Sequence, residues 1–123
     1  MITGIGIDAV QISRMEKWAD NPSLIKRYFD NREILVIRDR GKDMVRSLAA
    51  HFAAKEAFGK ALGTGFTGIA LKDIMILSKK NERPLLYVEG TALEAMRTSG
   101  AGKVHVSLTH DGDMALAFVI LED

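Results

Sequence analysis

The stretch "SLAAHFAAKEAFGKALG", Ser47 to Gly63, constrains the fold more than any other part of the chain. Leu48, Ala49, Phe52, Ala53, Ala57, Phe58, Ala61 and Leu62 would spread over nearly every face of a helix, and a helix that is apolar all round is buried. The pattern predicts a helix from about Lys42 to Leu62 that stops at Gly63. A chain of 123 residues can bury one such element in one core, so a single domain over residues 1–123 is expected. Three charges interrupt this helix: Lys55, Glu56 and Lys60. Glu56 and Lys60 are four apart and share a face, where an exposed pair would contribute only ~0.2–0.5 kcal/mol. Taking a charge out of water costs several kcal/mol per ion. Charges inside a buried helix therefore raise the question of what they serve.

Around that helix the signals alternate in kind. Residues 2–10 read as a strand, and Ser13 with Glu16 is a capping-box pattern for a helix from about Arg14 to Ala19. Asn21-Pro22 interrupts, and short helices are predicted over Ser23–Phe29 and Asn31–Ile37. Beyond the glycine-rich turn, "DIMILSKK" and "PLLYVEG" read as strands flanking "NER", and Thr91 with Glu94 caps a helix to about Thr98. "KVHVSLTH" and "MALAFVILED" close the chain as strands around "DGD". The expected class is α+β, with helices including one long central helix packed on an antiparallel sheet.

Several functions are disfavoured. The net charge is +1, which gives no uniform field for nucleic acid. The basic residues between Lys26 and Arg46 read as solvated helix faces. There is no cysteine, which removes thiolate metal sites and disulfides and suits a reducing cytosol. No apolar run reaches membrane-spanning length, and "MITGIGID" enters a strand pattern at once, so a cytoplasmic protein without a membrane anchor is expected.

Two further groups stand out. Alternation in the first strand puts Gly4, Gly6 and Asp8 on one face and Ile5 and Ile7 on the other. Glycines beside an acid suggest open space, and a strand glycine marks a place where a ligand or another backbone comes close, which makes Asp8 a candidate metal ligand beside a bulky group. Read alone, it is a strand-end aspartate facing water. "GIGIDA" also fits the loose dinucleotide fingerprint, but a carboxylate there would repel pyrophosphate unless a cation intervened. A divalent cation shared by Asp8 and Glu56 would answer the puzzle of the helix charges. Magnesium commonly bridges one or two carboxylates to substrate phosphates, and Lys60 would then face those phosphates. In "VHVSLTH" one face is apolar (Val104, Val106, Leu108) and the other hydrogen-bonding (His105, Ser107, Thr109). Taken singly, His105 is a surface histidine. His110 and Asp111 read as turn residues, and His51 as a helix histidine without a ligand.

Together, "GIGIDAVQISR", "FAAKEAFGKALGTG" and "VHVSLTHD" resemble, in order, spacing and wording, the holo-acyl-carrier-protein synthases, the small 4′-phosphopantetheinyl transferases. The resemblance spans nearly the whole chain. It implies transfer of 4′-phosphopantetheine from coenzyme A to a serine of apo acyl carrier protein, with release of adenosine 3′,5′-bisphosphate, in support of fatty-acid biosynthesis. It implies magnesium as cofactor, with manganese as the alternative, held by Asp8 and Glu56. Lys60 would face the pyrophosphate and His105 the nucleotide phosphates, so that Glu56, Lys60 and His105 form the catalytic set. Gly63, Thr64 and Gly65 match the turn whose backbone approaches coenzyme A, with Ser107, Arg83 and Pro84 as further contacts. Arg14 matches an arginine that meets the acidic helix of the carrier protein. A homotrimer is also implied, with Asp8 and His105 of each site on neighbouring subunits.

This chain departs from the family pattern at three places. His51 stands where relatives often have arginine, "NERP" replaces a more glycine-containing turn, and Val10 stands where the larger two-half relatives carry a second acid. Two other readings remain open on the residues alone: a non-catalytic nucleotide-binding module, which would not need both acids, and a structural interaction protein, which would need neither.

Overall fold

The structure is a computed structural model that describes residues 1–79 and 81–123. Lys80, at the end of the strand read from "DIMILSKK", lies outside the described residues. A long first strand β1 (Ile2–Gln11) leads through a 3-10 turn (Ile12–Met15) into three short helices, α1 (Glu16–Ala19), α2 (Pro22–Tyr28) and α3 (Asn31–Arg38). The central helix α4 (Met44–Leu62) has 19 residues. It is followed by β2 (Ile74–Leu77), β3 (Leu85–Val88), α5 (Gly90–Thr98), β4 (Lys103–Asp111) and β5 (Met114–Glu122).

The strands form two antiparallel sheets rather than one: a three-stranded sheet in the order β1-β5-β4, and the separate pair β2-β3. β4 and β5 are joined by the two-residue loop Gly112-Asp113, with Gly112 at a φ of +57°. Positive φ at the first loop position matches the twist of a tight hairpin. Antiparallel register places Asp8, Ala117 and Leu108 side by side on one face of the large sheet, and Ile5, Ile120 and His105 side by side on the other.

Helix α4 lies on the Asp8 face, and the two glycines of β1 explain how. A Cβ on Gly6 would sit 1.9 Å from the Ala57 carbonyl oxygen, and one on Gly4 2.0 Å from that of Ala61. The glycines are therefore filled by the backbone of α4, and the open space expected there for a ligand does not exist. Only glycine permits this approach of helix to strand. Ala53, Ala54, Ala57, Phe58, Leu48 and Ala49 of α4 are all buried, with Val119 and Leu121 of β5 and Ile74 and Ile76 of β2 completing the core. Gly63 ends α4 in the left-handed conformation, φ +82°, as the sequence predicts.

Two caps differ from the sequence reading. Ser13 does not close a capping box. Its hydroxyl donates to Asp113 Oδ2 at 2.6 Å and its N–H to Oδ1 at 3.1 Å, which ties the turn before α1 to the β4–β5 hairpin. Thr91 does not cap α5 either; its hydroxyl donates to Asp73 at 2.6 Å and accepts the N–H of Ala70 at 2.9 Å. In both cases a carboxylate brought from far along the chain takes the hydroxyl proton, since a charged acceptor makes the stronger bond.

Candidate active site

Where β1 crosses α4, three charged side chains meet. Lys60 Nζ donates to Asp8 Oδ1 at 2.8 Å and to the Ile7 carbonyl at 3.2 Å. Glu56, one turn earlier on the same helix face, is half-buried beside them. Burial pushes the Glu56 carboxyl above its ordinary value, the Asp8 charge pushes it further, and Lys60 opposes both. Contact with Asp8 in turn raises Lys60. Two carboxylates thus share a neighbourhood with a single ammonium, which is bonded to Asp8, and Glu56 accepts no hydrogen bond among the described residues. Such a site is under-neutralised. Lys60 itself is well exposed, 56% of its side chain, so the premise that all three helix charges are buried fails for it.

The fully buried charge is Lys55, and it serves neither of the ligands suggested above. Its Nζ donates to Glu33 Oε1 at 2.7 Å, to the Leu71 carbonyl at 3.0 Å and to the carbonyl of Ile74. It also lies 4.8 Å from the centre of the Phe29 ring. Glu33 Oε2 accepts from His51 Nδ1 at 2.9 Å and from the Ile76 N–H at 3.2 Å. Burial pushes the Lys55 ammonium down and Glu33 pulls it back. This cluster joins α3, α4 and β2. Sequence reasoning missed Glu33 and the structural role of His51. The signal was available: His51 and Lys55 are four apart among the small and apolar residues of α4, and Glu33 lies four before Ile37 on the buried face of α3.

The remaining candidates fall in other places. Gly63, Thr64 and Gly65 lie beyond the end of α4, where the Gly65 N–H returns to the Gly59 carbonyl at 3.2 Å. Thr64 lines a cleft against Thr91, Glu94 and Thr98 of α5. Arg83, Pro84 and His105 line one groove of about 240 Å³ between β3 and β4. His105 Nε2 lies 2.6 Å from Glu122 Oε1, a partner the sequence reading did not anticipate. Ser107 is exposed on the same outer face as His105. Arg14 is exposed on the 3-10 turn held by Asp113. Val10 is buried on the Asp8 face, so no third acid joins the pair from that position. Among the described residues no group of three or more His, Cys, Asp or Glu side chains gathers in metal-binding range. The structure therefore brings Asp8, Glu56 and Lys60 together, and separately His105, Arg83 and Pro84. Within one chain His105 lies on the face of the large sheet opposite Asp8.

A sequence profile of the 4′-phosphopantetheinyl transferase superfamily matches residues 4–119. A holo-[acyl-carrier-protein] synthase of Treponema denticola is 48% identical over 122 residues, 99% of each chain. Among solved structures, the holo-[acyl-carrier-protein] synthase of Neisseria meningitidis superposes with a TM-score of 0.88 at 32% identity, covering 100% of both chains. That of Helicobacter pylori, in complex with coenzyme A, superposes with a TM-score of 0.78 at 31% identity, covering 96% of this chain and 99% of that one. The chain belongs to the 4′-phosphopantetheinyl transferase superfamily, in its holo-[acyl-carrier-protein] synthase family, and is a transferase.

Proposed function

We propose that this chain transfers 4′-phosphopantetheine from coenzyme A to a serine of apo acyl carrier protein, releasing adenosine 3′,5′-bisphosphate, with residues 1–123 acting as one domain in the cytoplasm. The observation that carries the reading is the meeting of Asp8, Glu56 and Lys60 at the crossing of β1 and α4, in a chain whose full length matches holo-[acyl-carrier-protein] synthases. In the reaction the serine oxygen bonds to the phosphorus next to pantetheine, and the bond from that phosphorus to the bridging oxygen breaks. Negative charge grows on the leaving bisphosphate. Lys60, exposed and held at Asp8, is placed to offset it. Glu56, free of hydrogen bonds among the described residues, is assigned to take the serine proton, directly or through a water.

The donor set fits magnesium. Two neighbouring carboxylates with one unmet charge match an ion that binds through one or two carboxylates and completes its shell with water and phosphate oxygens. Asp8 and Glu56 would hold it, and when bound it would neutralise charge on the pyrophosphate oxygens. The backbone of Gly63, Thr64 and Gly65 and the side chains of Ser107, Arg83 and Pro84 are assigned to coenzyme A, and exposed Arg14 to the acidic carrier. His105 is assigned to the nucleotide phosphates.

We assign the active form as a homotrimer in which each site draws Asp8 and His105 from neighbouring chains. Two observations support it. His105 and Asp8 lie on opposite sheet faces, and the His105 face leaves Ile5 57%, Ile7 58% and Phe118 38% exposed, an apolar surface of the kind that contacts a partner. In a ring of head-to-tail contacts the outer face of one copy would meet the Asp8 side of the next, so that each His105 would serve the Asp8 cluster of a neighbour. Mass spectrometry of apo acyl carrier protein incubated with this chain, coenzyme A and magnesium tests the activity: a phosphopantetheine increment on the carrier is expected, and its absence on several carriers leaves a binding module. Asp8→Asn and His105→Ala proteins, each inactive, test the assembly. Unfolded together and reassembled in equal amounts, they should make about a quarter of the interfaces fully intact and regain activity. A chain carrying both substitutions, reassembled with either single variant, should regain none. If the single variants stay inactive after proven exchange, the shared site is wrong.

A further inference from the structure

The β4–β5 pair places a carboxylate against the one histidine assigned to coenzyme A. His105 is registered against Ile120, and Glu122, two residues further along β5, stands on the same outer face. Their side chains meet diagonally, with His105 Nε2 2.6 Å from Glu122 Oε1. The hydrogen bond from His105 holds the Glu122 carboxyl below its ordinary value, and the charges of His105, Lys103 and the chain's amino terminus add to it. Glu122 is therefore ionised at neutral pH and accepts from Nε2–H. A ring tethered through Nε2 has only Nδ1 to offer a ligand, and among the described residues Nδ1 has no hydrogen-bond partner. That ring stands at the groove between β3 and β4, which Arg83 also lines.

We propose that Glu122 is a positioning residue for the transfer reaction: it fixes the His105 ring through Nε2, so that the Nδ1 edge is presented to a phosphate of coenzyme A. This rests on the reading of His105 as a phosphate contact. The physical reason is the cost of ordering. An exposed histidine turns about two torsions and exchanges its proton between two nitrogens, and both freedoms are lost when it grips a phosphate. A carboxylate already bonded to Nε2 removes most of that loss before the ligand arrives. With Nε2–H donated to Glu122, the ring edge that carries Nδ1 is the one left to meet the phosphate. A carboxylate beside an anion site would otherwise repel the ligand. Here its charge is directed into the imidazole.

Steady-state kinetics on Glu122→Ala, Glu122→Gln, His105→Ala and the Glu122→Ala/His105→Ala double variant test the proposal. Glu122→Ala should raise KM for coenzyme A by roughly three- to tenfold, the net size of an ordinary hydrogen bond lost at second hand, and leave KM for the carrier protein unchanged. Glu122→Gln keeps an acceptor oxygen and should recover most of the loss. The double variant should match His105→Ala alone, because Glu122 acts through the ring. Nitrogen-15 imidazole spectra give a readout that a merely structural role would not move: the Nε2-bound proton of His105 should be fixed in the wild type and Glu122→Gln, and exchange between nitrogens in Glu122→Ala. Losses that multiply in the double variant would overturn the proposal. So would a Glu122→Ala protein with wild-type kinetics beside an impaired His105→Ala. A His105→Ala protein as active as wild type would overturn it too, and would remove the reading of His105 as well.

Discussion

Lys55 and Glu56 are consecutive residues of one helix, about 100° apart around its axis, and they belong to charge clusters of opposite character. On one side, Glu33, His51 and Lys55 are sealed from water and saturated with hydrogen bonds, and no buried side-chain nitrogen or oxygen among the described residues lacks a partner. On the other, Asp8, Glu56 and Lys60 are partly open to water, with more negative than positive charge and a glutamate that accepts no hydrogen bond. The first cluster is complete without a ligand. The second is incomplete, and that incompleteness is what supports reading it as a site. Lys55 and Lys60 of α4 thus differ in that the fold supplies every partner of the first and leaves the second open to water.

The largest effect should come from breaking the saturated cluster. Lys55→Met leaves Glu33 buried without its ammonium and two carbonyls, of Leu71 and Ile74, without a donor, and should cost about 3–5 kcal/mol in urea unfolding. Replacing both partners, as Glu33→Leu with Lys55→Met, is often harmless for a simple buried pair. Here it would orphan the Ile76 N–H and His51 Nδ1 as well, so little of the loss should return. Full recovery in the double variant would mean that the cluster is an ordinary replaceable ion pair.

Asp8→Asn and Glu56→Gln should show the reverse balance. Each should leave the fold intact and lower transfer by about a hundredfold or more, close to 3 kcal/mol of transition-state stabilisation. The Asp8→Asn/Glu56→Gln protein should be little worse than the worse single variant, because both carboxylates act through one centre. Losses that multiply in single-turnover assays would separate the two residues. Arg14→Glu, at the rim, should raise KM for the carrier protein by roughly tenfold with little change for coenzyme A, and added salt should act in the same direction on the wild type. Equal effects on both substrates would move Arg14 into the site or the fold.

The smallest effect is the most telling for the contrast. The folded state raises the Glu56 carboxyl, so between its ordinary value and its raised one the native protein holds more protons than the unfolded chain. Stability therefore falls as pH rises through that window. In a chelating buffer Glu56→Gln should match the wild type at acid pH and exceed it at neutral pH, by less than about 1 kcal/mol because the site is partly solvated. A Glu56→Gln protein less stable than wild type at neutral pH would show that the glutamate supports the fold.

Much of this was legible in the sequence. The period of α4, its glycine stop, the alternation of β1 and β4 and the turn at Gly112 are local, since each depends on neighbours within a few residues. Those signals place Asp8, Glu56, Lys60 and His105 on the right elements, and three motifs together identify the family. The close approach of α4 to Gly4 and Gly6 was misread as space for a ligand, because a glycine announces that something comes near and not what. Only the tertiary structure decided which helix charges are sealed and which are open. Glu33 is 22 residues from Lys55, Asp113 is 100 from Ser13, and Glu122 is 17 from His105. Whether a charge is satisfied depends on groups that the chain brings together only by folding, and no spacing along the sequence encodes that.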